Sequence, residues 1–555
     1  MNINPNMSWR RDALLLFLAV LLFFCMGLST RPYLVPSEAR YIELPRQMLA
    51  TGDWLTPRID GVPYFEKPPL FYWMQASVMQ FFGAGEFAGR IATALLAALT
   101  CVVTYAAARL LYGRLSGLLA ATVLATCALG YGLSRVAMLD MPVSLFMTSC
   151  FVCFLAAQHT GQRHWYWGMY VAAALAVLTK GLIGMVIPGL VIGVWILFTK
   201  RWRILAEARL LTGLIVFLII AAPWHVLMAR AHPDFLNFYF IHEHFTRYLT
   251  DSHKRLQPWW FFPVIVLAGL LPWTSVTPHS LRRLLQTKGI PQNVRQNNLF
   301  LLFWIVLPLL FFSASHSKLA PYIFPIFPPL SIVLGDYLAG CWEGRIAARA
   351  LRNNCFFIVA LFAAIIAGYY AVPLPVDANN KLDFATGISF TMLIPIIIAL
   401  AGLLYVAVRK SPAPVLIGAL VLFAATFDIS TNTIVAALDR ATVKPLAAVV
   451  RERLHEGDSV VAYGSYFQDL PVYLNRNVMV ADYLGELEFG ATHYPETQGW
   501  MISSNQFWQL CAVTKRPLYV FMKKTTFDGI AIPPNCRLRR LANYGKTVLL
   551  EKESK

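Results

Sequence analysis

The sequence predicts a polytopic α-helical membrane protein, with about thirteen transmembrane helices followed by a small external α/β domain. Composition is the first observation behind that expectation. Of 555 residues, 57% are hydrophobic and only 14% are charged, with mean hydropathy +0.56. A soluble globular chain carries about 25% charged residues. The second observation is a recurrence of apolar runs near the roughly 20 residues that a bilayer-crossing helix needs. The third is a change of character after residue 430, where long apolar runs give way to short β-rich ones. Together they exclude a soluble enzyme, a disordered chain and a fibrous protein.

The expected spans lie near 12–28, 87–111, 116–133, 142–157, 166–178, 182–198 and 211–228, then 261–275, 298–313, 319–338, 356–372, 390–408 and 414–430. No small-residue cleavage site follows the first, so it reads as a retained anchor and not a signal peptide. The membrane part is expected over 1–430, with a first outer loop at 31–83, and the external domain over 431–555.

Orientation follows from charge. Lys and Arg outnumber Asp and Glu by 47 to 29, a net +18. One alternate set of loops holds Arg10, Arg11, Arg109, Arg114, Arg163, Lys200, Arg201, Arg203 and Arg209. Further along, the same set holds Arg282, Arg283, Lys288, Arg295, Arg345, Arg349, Arg352, Arg409 and Lys410. These loops contain few acids, which is the positive-inside signature. Most of the net charge is therefore topological, and nucleic acid is not an expected partner. An odd number of spans from a cytoplasmic N-terminus leaves the C-terminal domain outside.

The opposite loops are longer. Within 31–83, the stretch 69–82 is aromatic-rich and reads as an interfacial helix. Beyond the last span, a helix is expected at 443–454 and strands at 459–463, 477–481, 518–522 and 547–551, separated by Gly, Pro and Asn turns. Cys511 and Cys536 are the only cysteines of this domain, and an oxidising compartment would permit a disulfide between them.

Ionisable groups gather at the outer ends of the spans, where burying charge near lipid is costly and tends to mark function. The first outer loop contains PSEARYIELPRQ and PYFEKPP; later ones contain SRVAMLDMP, LTKG, FIHEHFTRY with SHKRLQ, and SHSKLAPY. Brought to one face, they would form a basic cleft with a few carboxylates beside a lipid-accessible wall. Such a cleft suits a lipid-linked phosphate. Arg40, Lys67, Lys180, Arg247, Arg255 and Lys318 could neutralise it, also as a departing group. Tyr41, Tyr64 and Tyr322 could donate hydroxyls or stack on a sugar.

Simpler readings stand beside these. A single interfacial cation can snorkel to headgroups, whereas cations repeated loop after loop beside carboxylates point to a site. Asp140 precedes a span, so it is either a helix cap or a catalytic or metal-binding carboxylate. Glu38 and Glu43 lie five apart and need not share a helix face. Glu66 beside Lys67 is a plain ion pair or part of the site. His244, next to Glu243, is a structural histidine or a metal ligand.

At these same residues the chain resembles the lipid A aminoarabinose transferases, polyprenyl-phosphate-dependent enzymes of the protein O-mannosyltransferase-like group. The run EARYIELPRQMLATGDWLTPRIDGVPYFEKPP, the later LDMP, LTKG, EHFTRY and SKLAPY, and ELEFG at 486–490 carry the resemblance. It covers nearly the whole chain and implies the GT-C membrane fold. It also implies inverting transfer of a sugar, 4-amino-4-deoxy-L-arabinose or a relative, from undecaprenyl phosphate to the lipid A part of lipopolysaccharide, at the periplasmic face of the inner membrane. By the same resemblance Lys67, Arg40 and Arg247 would hold the carrier phosphate near Tyr64 and Tyr322. Glu66 and His244 would match a divalent-metal pair, and Asp140 a second carboxylate.

One departure matters. Where the family's first loop has Asp before Glu, this chain has Ser37 before Glu38. A serine is no carboxylate base. Glu38 or Glu43 could take the role, Asp140 could carry it alone, or an acceptor phosphate, with second pKa near 6, needs no strong base. A hydroxyl acceptor on a protein or another glycan would use the same transfer chemistry but would have to lose a proton. Transport is a different class, disfavoured because no internal repeat is visible and charge sits at one face instead of the midplane.

Overall fold

The computed structural model describes residues 5–239, 257–286, 289–371 and 388–553. Among them, eight helices are long and apolar enough to cross a bilayer, or ten if each of two bent pairs is one span. The helices are α1 (Pro5–Cys25), α2 (Ser37–Thr51), α3 (Leu70–Phe82), α4 (Glu86–Tyr112), α5 (Arg114–Thr126), α6 (Ala128–Ser134), α7 (Asp140–Thr160), α8 (Trp165–Lys180) and α9 (Ile183–Thr199). There follow α10 (Leu210–Ala231), α11 (Phe261–Gly269), α12 (Thr277–Leu284), α13 (Gln292–Ala314), α14 (Phe327–Trp342), α15 (Arg349–Ala371), α16 (Phe390–Val408) and α17 (Ala413–Leu438).

The expected span at 116–133 is a bent pair, α5 and α6, meeting at 68°, and that at 261–275 belongs to α11 and α12, meeting at 112°. Breaking a helix frees backbone groups that must find partners away from water. Here the two breaks brace each other. Ala128 N donates to Leu271 O at 3.0 Å, and Trp273 Nε1 donates to Thr126 Oγ1 at 3.2 Å.

Small residues set the packing. Helix α4 buries Ala88, Gly89, Ala92, Ala94, Ala97 and Ala98, and this lets neighbouring backbones approach closely. A Cβ at Gly89 would lie 2.7 Å from both Ile42 and Tyr33. The span ending in α14 is central, with 94% of its apolar window buried, against 17% for α10 at the periphery. Cys150 and Cys153 stand one turn apart in α7 as a C-x-x-C pair, and both are free thiols.

The first loop is ordered. After α2, a hairpin of β1 (Arg58–Ile59) and β2 (Val62–Pro63) turns at Asp60-Gly61, with φ of 51° and 81°. That positive pair is what a two-residue hairpin loop demands, and Asp-Gly supplies it. Helix α3 then runs over the expected stretch and ends with Phe81 and Phe82 exposed.

Helix α17 continues to Leu438, beyond the expected end of the last span at 430. After it come α18 (Lys444–Arg451) and α19 (Ser504–Val513) around a six-stranded sheet. Its strands are β3 (Ser459–Tyr463), β4 (Met479–Ala481), β5 (Met501–Ile502), β6 (Leu518–Lys523), β7 (Leu538–Tyr544) and β8 (Thr547–Lys552), in the order β5-β4-β3-β6-β8-β7. The first four of that order are parallel, and β8 and β7 add antiparallel. Alternate residues serve opposite faces. Val460, Ala462, Tyr519 and Phe521 meet α18, whereas Val461, Tyr463, Val520 and Met522 meet α19. Cys511 and Cys536 form a disulfide.

Candidate functional site

The first loop and the C-terminal domain are joined by polar contacts. Glu43 accepts from Arg46 Nε at 2.6 Å, Gln47 Nε2 at 2.8 Å and Asp60 N at 3.2 Å. Gln47 Nε2 also reaches Asn477 Oδ1 at 2.5 Å. Val478 N donates to Asp60 Oδ1 and Trp500 Nε1 to Asp60 O, both at 2.8 Å. Burial, with the Glu43 charge beside it, pushes the Asp60 carboxyl well above the usual range, against Val478 N–H and Arg46.

Glu38 is fully buried between two guanidinium groups. Arg90 Nε donates to Oε1 at 2.7 Å, and Arg31 Nη1 to Oε2 at 3.0 Å, with Leu34 N at 2.8 Å on the same oxygen. Burial alone would raise this carboxyl, but Arg31 and Arg90 hold it down at about 2. All five Arg90 N–H groups are used, since Nη1 and Nη2 also serve the carbonyls of Leu28, Arg31 and Pro32. The expectation that Glu38 or Glu43 replaces the missing first-loop aspartate therefore meets a physical obstacle. Both are committed to buried ion pairs, with side chains 0% exposed. Glu38, stabilised as the anion by Arg31 and Arg90, is a poor base.

A different set of groups converges around Arg40 and Tyr41, two and three residues after Glu38 on the same helix. Arg40 pairs with Glu486 from the C-terminal domain, and Gln468 Nε2 steadies Glu486 at 2.8 Å. Tyr41 stacks on Tyr72 with ring centroids 6.2 Å apart. Tyr41 is partly buried, and desolvation raises its phenol; it feels Arg40, Glu66, Tyr322 and Asp140 together. Burial opposes the charge on Arg40, but Tyr64, Glu486 and Glu66 outweigh it and raise its pKa. Burial and Glu66 likewise push Tyr64 well up. Three buried polar atoms, Arg40 Nε, Tyr64 OH and Tyr72 OH, have no hydrogen-bond partner among the described residues. Unpartnered donors of this kind cost roughly 1–3 kcal/mol each unless a ligand satisfies them.

Lys180 at the end of α8 donates to Asp140 Oδ1 at 2.5 Å and stands 4.4 Å from the Tyr322 ring centroid. Asp140 is the first residue of α7, where no side-chain capping bond is made. Its Oδ1 accepts from Lys180 Nζ instead. Lys67 Nζ donates to Glu66 O at 2.7 Å, beside Tyr64.

The structure thus gathers Arg40, Tyr41, Tyr64, Glu66, Asp140, Lys180 and Tyr322, with Lys67 adjoining them. Lys318 donates to Gln257 O at 3.1 Å, tying down the loop before Tyr322. Arg247, Arg255 and His244 lie outside the described residues, so only Glu66 of the expected metal pair is described. Among the described residues, no group of three His, Cys, Asp or Glu could hold a metal ion.

Sequence reasoning missed Arg90, Tyr72 and Glu486 as part of this region. Arg90 carried a usable signal, an arginine inside an apolar run. Glu486 carried none by spacing, because its approach to Arg40 depends on how the C-terminal domain docks.

A family model described as dolichyl-phosphate-mannose-protein mannosyltransferase matches residues 66–226, and one described as aminoarabinose transferase C-terminal domain matches 446–552. Among solved structures, ArnT from Cupriavidus metallidurans bound to undecaprenyl phosphate superposes with TM-score 0.83 at 26% identity, covering 97% of each chain. The fold is accordingly of the helical polytopic GT-C type. An undecaprenyl phosphate-α-4-amino-4-deoxy-L-arabinose arabinosyl transferase of Proteus mirabilis is 34% identical over 397 residues, 70% of this chain and 71% of its own. One from Erwinia tasmaniensis is 30% identical over 521 residues, 90% of this chain and 91% of its own. A likeness of that extent, on a site with this chemistry, means that the chain belongs to the undecaprenyl phosphate-α-4-amino-4-deoxy-L-arabinose arabinosyl transferase family.

Proposed function

We propose that the protein transfers 4-amino-4-deoxy-L-arabinose from undecaprenyl phosphate to lipid A, at the periplasmic face of the bacterial inner membrane. The observation that carries this reading is the buried Arg40–Tyr64–Tyr72 cluster with unpartnered polar atoms, facing the Asp140–Lys180 pair in a chain of this family. Lys67, Arg40 and the undescribed Arg247 hold the carrier phosphate, and Lys180 adds charge. The full topology has thirteen spans, a cytoplasmic N-terminus, a membrane part over 1–430 and a periplasmic domain over 431–555.

The reaction is displacement with inversion. An acceptor oxygen bonds to the anomeric carbon as the bond from that carbon to the carrier phosphate breaks, and its electron pair stays on the departing phosphate. Cations placed where that charge grows stabilise the transition state more than the bound donor. Ser37 cannot take a proton, and Glu38 is held as a spent anion between Arg31 and Arg90. Asp140 is then the carboxylate that accepts any remaining acceptor proton. An acceptor phosphate, already mostly ionised at neutral pH, asks little more. A divalent ion held by Glu66 and His244 would add positive charge at the phosphate.

Mass spectrometry of lipid A from cells with and without the gene tests the reading. Loss of one aminopentose-sized mass in the deletion is expected. Unchanged lipid A would overturn the acceptor assignment.

A further inference from the structure

Far from this cluster, the C-terminal domain carries a cleft of about 800 Å³ that the transfer chemistry does not use. Its walls are the stretch that follows α19, the loop after Cys536 and the last residues of β8. Five cations line it, Lys515, Arg516, Arg537, Arg539 and Lys552, against the acids Glu551 and Glu553. Arg539 is paired with Glu551 at 3.1 Å, and Lys552 donates to Thr514 O. Lys515, Arg516 and Arg537 are exposed and make no ion pair among the described residues. The Cys511–Cys536 disulfide joins the two segments that carry these charges.

Position indicates what the cleft faces. At the other end of the β7–β8 hairpin, Tyr544 OH donates to Asp439 O at 2.9 Å, immediately beyond the end of α17. The cleft adjoins the opposite end of that hairpin, where β7 begins and β8 ends. Seven residues of β7 separate the two ends, roughly 20 Å at strand rise. The cleft thus lies a strand's length from the contact with the end of α17, on the side where sugars extending from a membrane-held lipid would run.

We infer that the cleft binds the anionic saccharide that continues outward from the lipid A acceptor, through its phosphate or carboxylate groups. This rests on the acceptor reading above. Unpaired guanidinium and ammonium groups are the recognition chemistry for such anions, and a disulfide between the segments that carry them lowers the backbone ordering cost of binding. The cleft would hold lipopolysaccharide with its sugars upright, favouring acceptors that carry them over bare lipid A.

The test uses the full chain in lipid nanodiscs with the combined variant Lys515→Glu, Arg516→Glu and Arg537→Glu. Transfer is measured on two acceptors, lipopolysaccharide with its acidic oligosaccharide and lipid A without it. Binding of the isolated, fluorescently labelled oligosaccharide is measured alongside. The wild type should bind that oligosaccharide in a salt-sensitive manner. The variant should weaken this binding and raise KM for lipopolysaccharide by roughly tenfold, exposed charges each contributing modestly, with turnover on bare lipid A unchanged. Equal KM values for lipopolysaccharide in both proteins would overturn the inference, as would equal binding of a neutral oligosaccharide or binding only of an acidic protein. Absence of transfer to either acceptor would defeat the acceptor reading, and the oligosaccharide arm would still decide whether the cleft binds anionic saccharide. Should the triple glutamate variant fold poorly, Lys515→Gln, Arg516→Gln and Arg537→Gln pose the same question with a smaller expected change.

Discussion

Lys180 and Asp140 meet at 2.5 Å, joining the last residue of one membrane helix to the first residue of the preceding one. The pair lies where a helix C-terminus favours a cation and a helix N-terminus favours an anion. Each charge is thus supported twice, by its partner and by the helix that carries it. The Lys180 ammonium also stands 4.4 Å from the Tyr322 ring centroid, a cation–π contact that holds it between ring and carboxylate.

Asp140→Asn separates charge from shape. Asparagine keeps the shape but leaves the nearly buried Lys180 without its countercharge, so thermal stability should fall as well. Turnover should fall by roughly 10²–10⁴-fold if the carboxylate acts on a proton. Radiolabelled sugar transfer to lipid A measures it, and unchanged turnover would reduce Asp140 to a structural role.

Lys67→Ala should abolish detectable transfer while expression and melting stay normal. Losing a donor to a developing anion costs about 3–4 kcal/mol. Arg40→Lys should also impair the enzyme, by tenfold or more, because a point charge cannot replace a planar two-pronged donor. Donor titrations of the purified variants would check both, and wild-type kinetics in either would remove that residue from the phosphate site.

Glu38→Gln and Arg90→Ala should act on stability before chemistry. Removing one partner of a buried pair leaves the other uncompensated, at a cost of about 3–5 kcal/mol. Because the Glu38 carboxyl is depressed to about 2 by Arg31 and Arg90 against burial, its contribution is complete above the unfolded value and lost as pH falls through about 2. Detergent-solubilised thermal melts should show a large loss for both variants, with normal turnover per folded molecule. Normal melting with absent turnover would restore Glu38 as a catalytic candidate.

Asp60 has the opposite sign. Burial and Glu43 raise its folded pKa, so its contribution is present below the unfolded value, about 3.9, and is lost as pH rises through the folded one. Contact between the first loop and the C-terminal domain should therefore weaken with rising pH. Asp60→Asn should flatten that dependence and raise the melting temperature most at the alkaline end. Identical pH–stability curves for the two proteins would count against it.

Much of the architecture is legible from hydropathy alone, because a bilayer forces every spanning segment to satisfy its own backbone. The interfacial stretch at 69–82 and four of the six C-terminal strands lie where pattern puts them. Strand β7 escaped because Arg539 and Arg540 interrupt its alternation at the edge of the sheet. The bent pairs escaped because a break braced by a remote carbonyl leaves no mark in local composition.

The sequence by itself determined which residue types are available at the site: Arg40, Tyr41, Tyr64, Lys67, Asp140, Lys180 and Tyr322, spread across some 280 positions, with ~20-residue apolar segments between the loops. Only the tertiary structure decided their partners. It sends Glu38 into a guanidinium clamp and Asp140 to Lys180, and brings Glu486 from the far domain to Arg40. The physical reason is that hydropathy is a local property read along the chain, whereas the field at a carboxylate depends on which distant charges packing brings within a few ångströms.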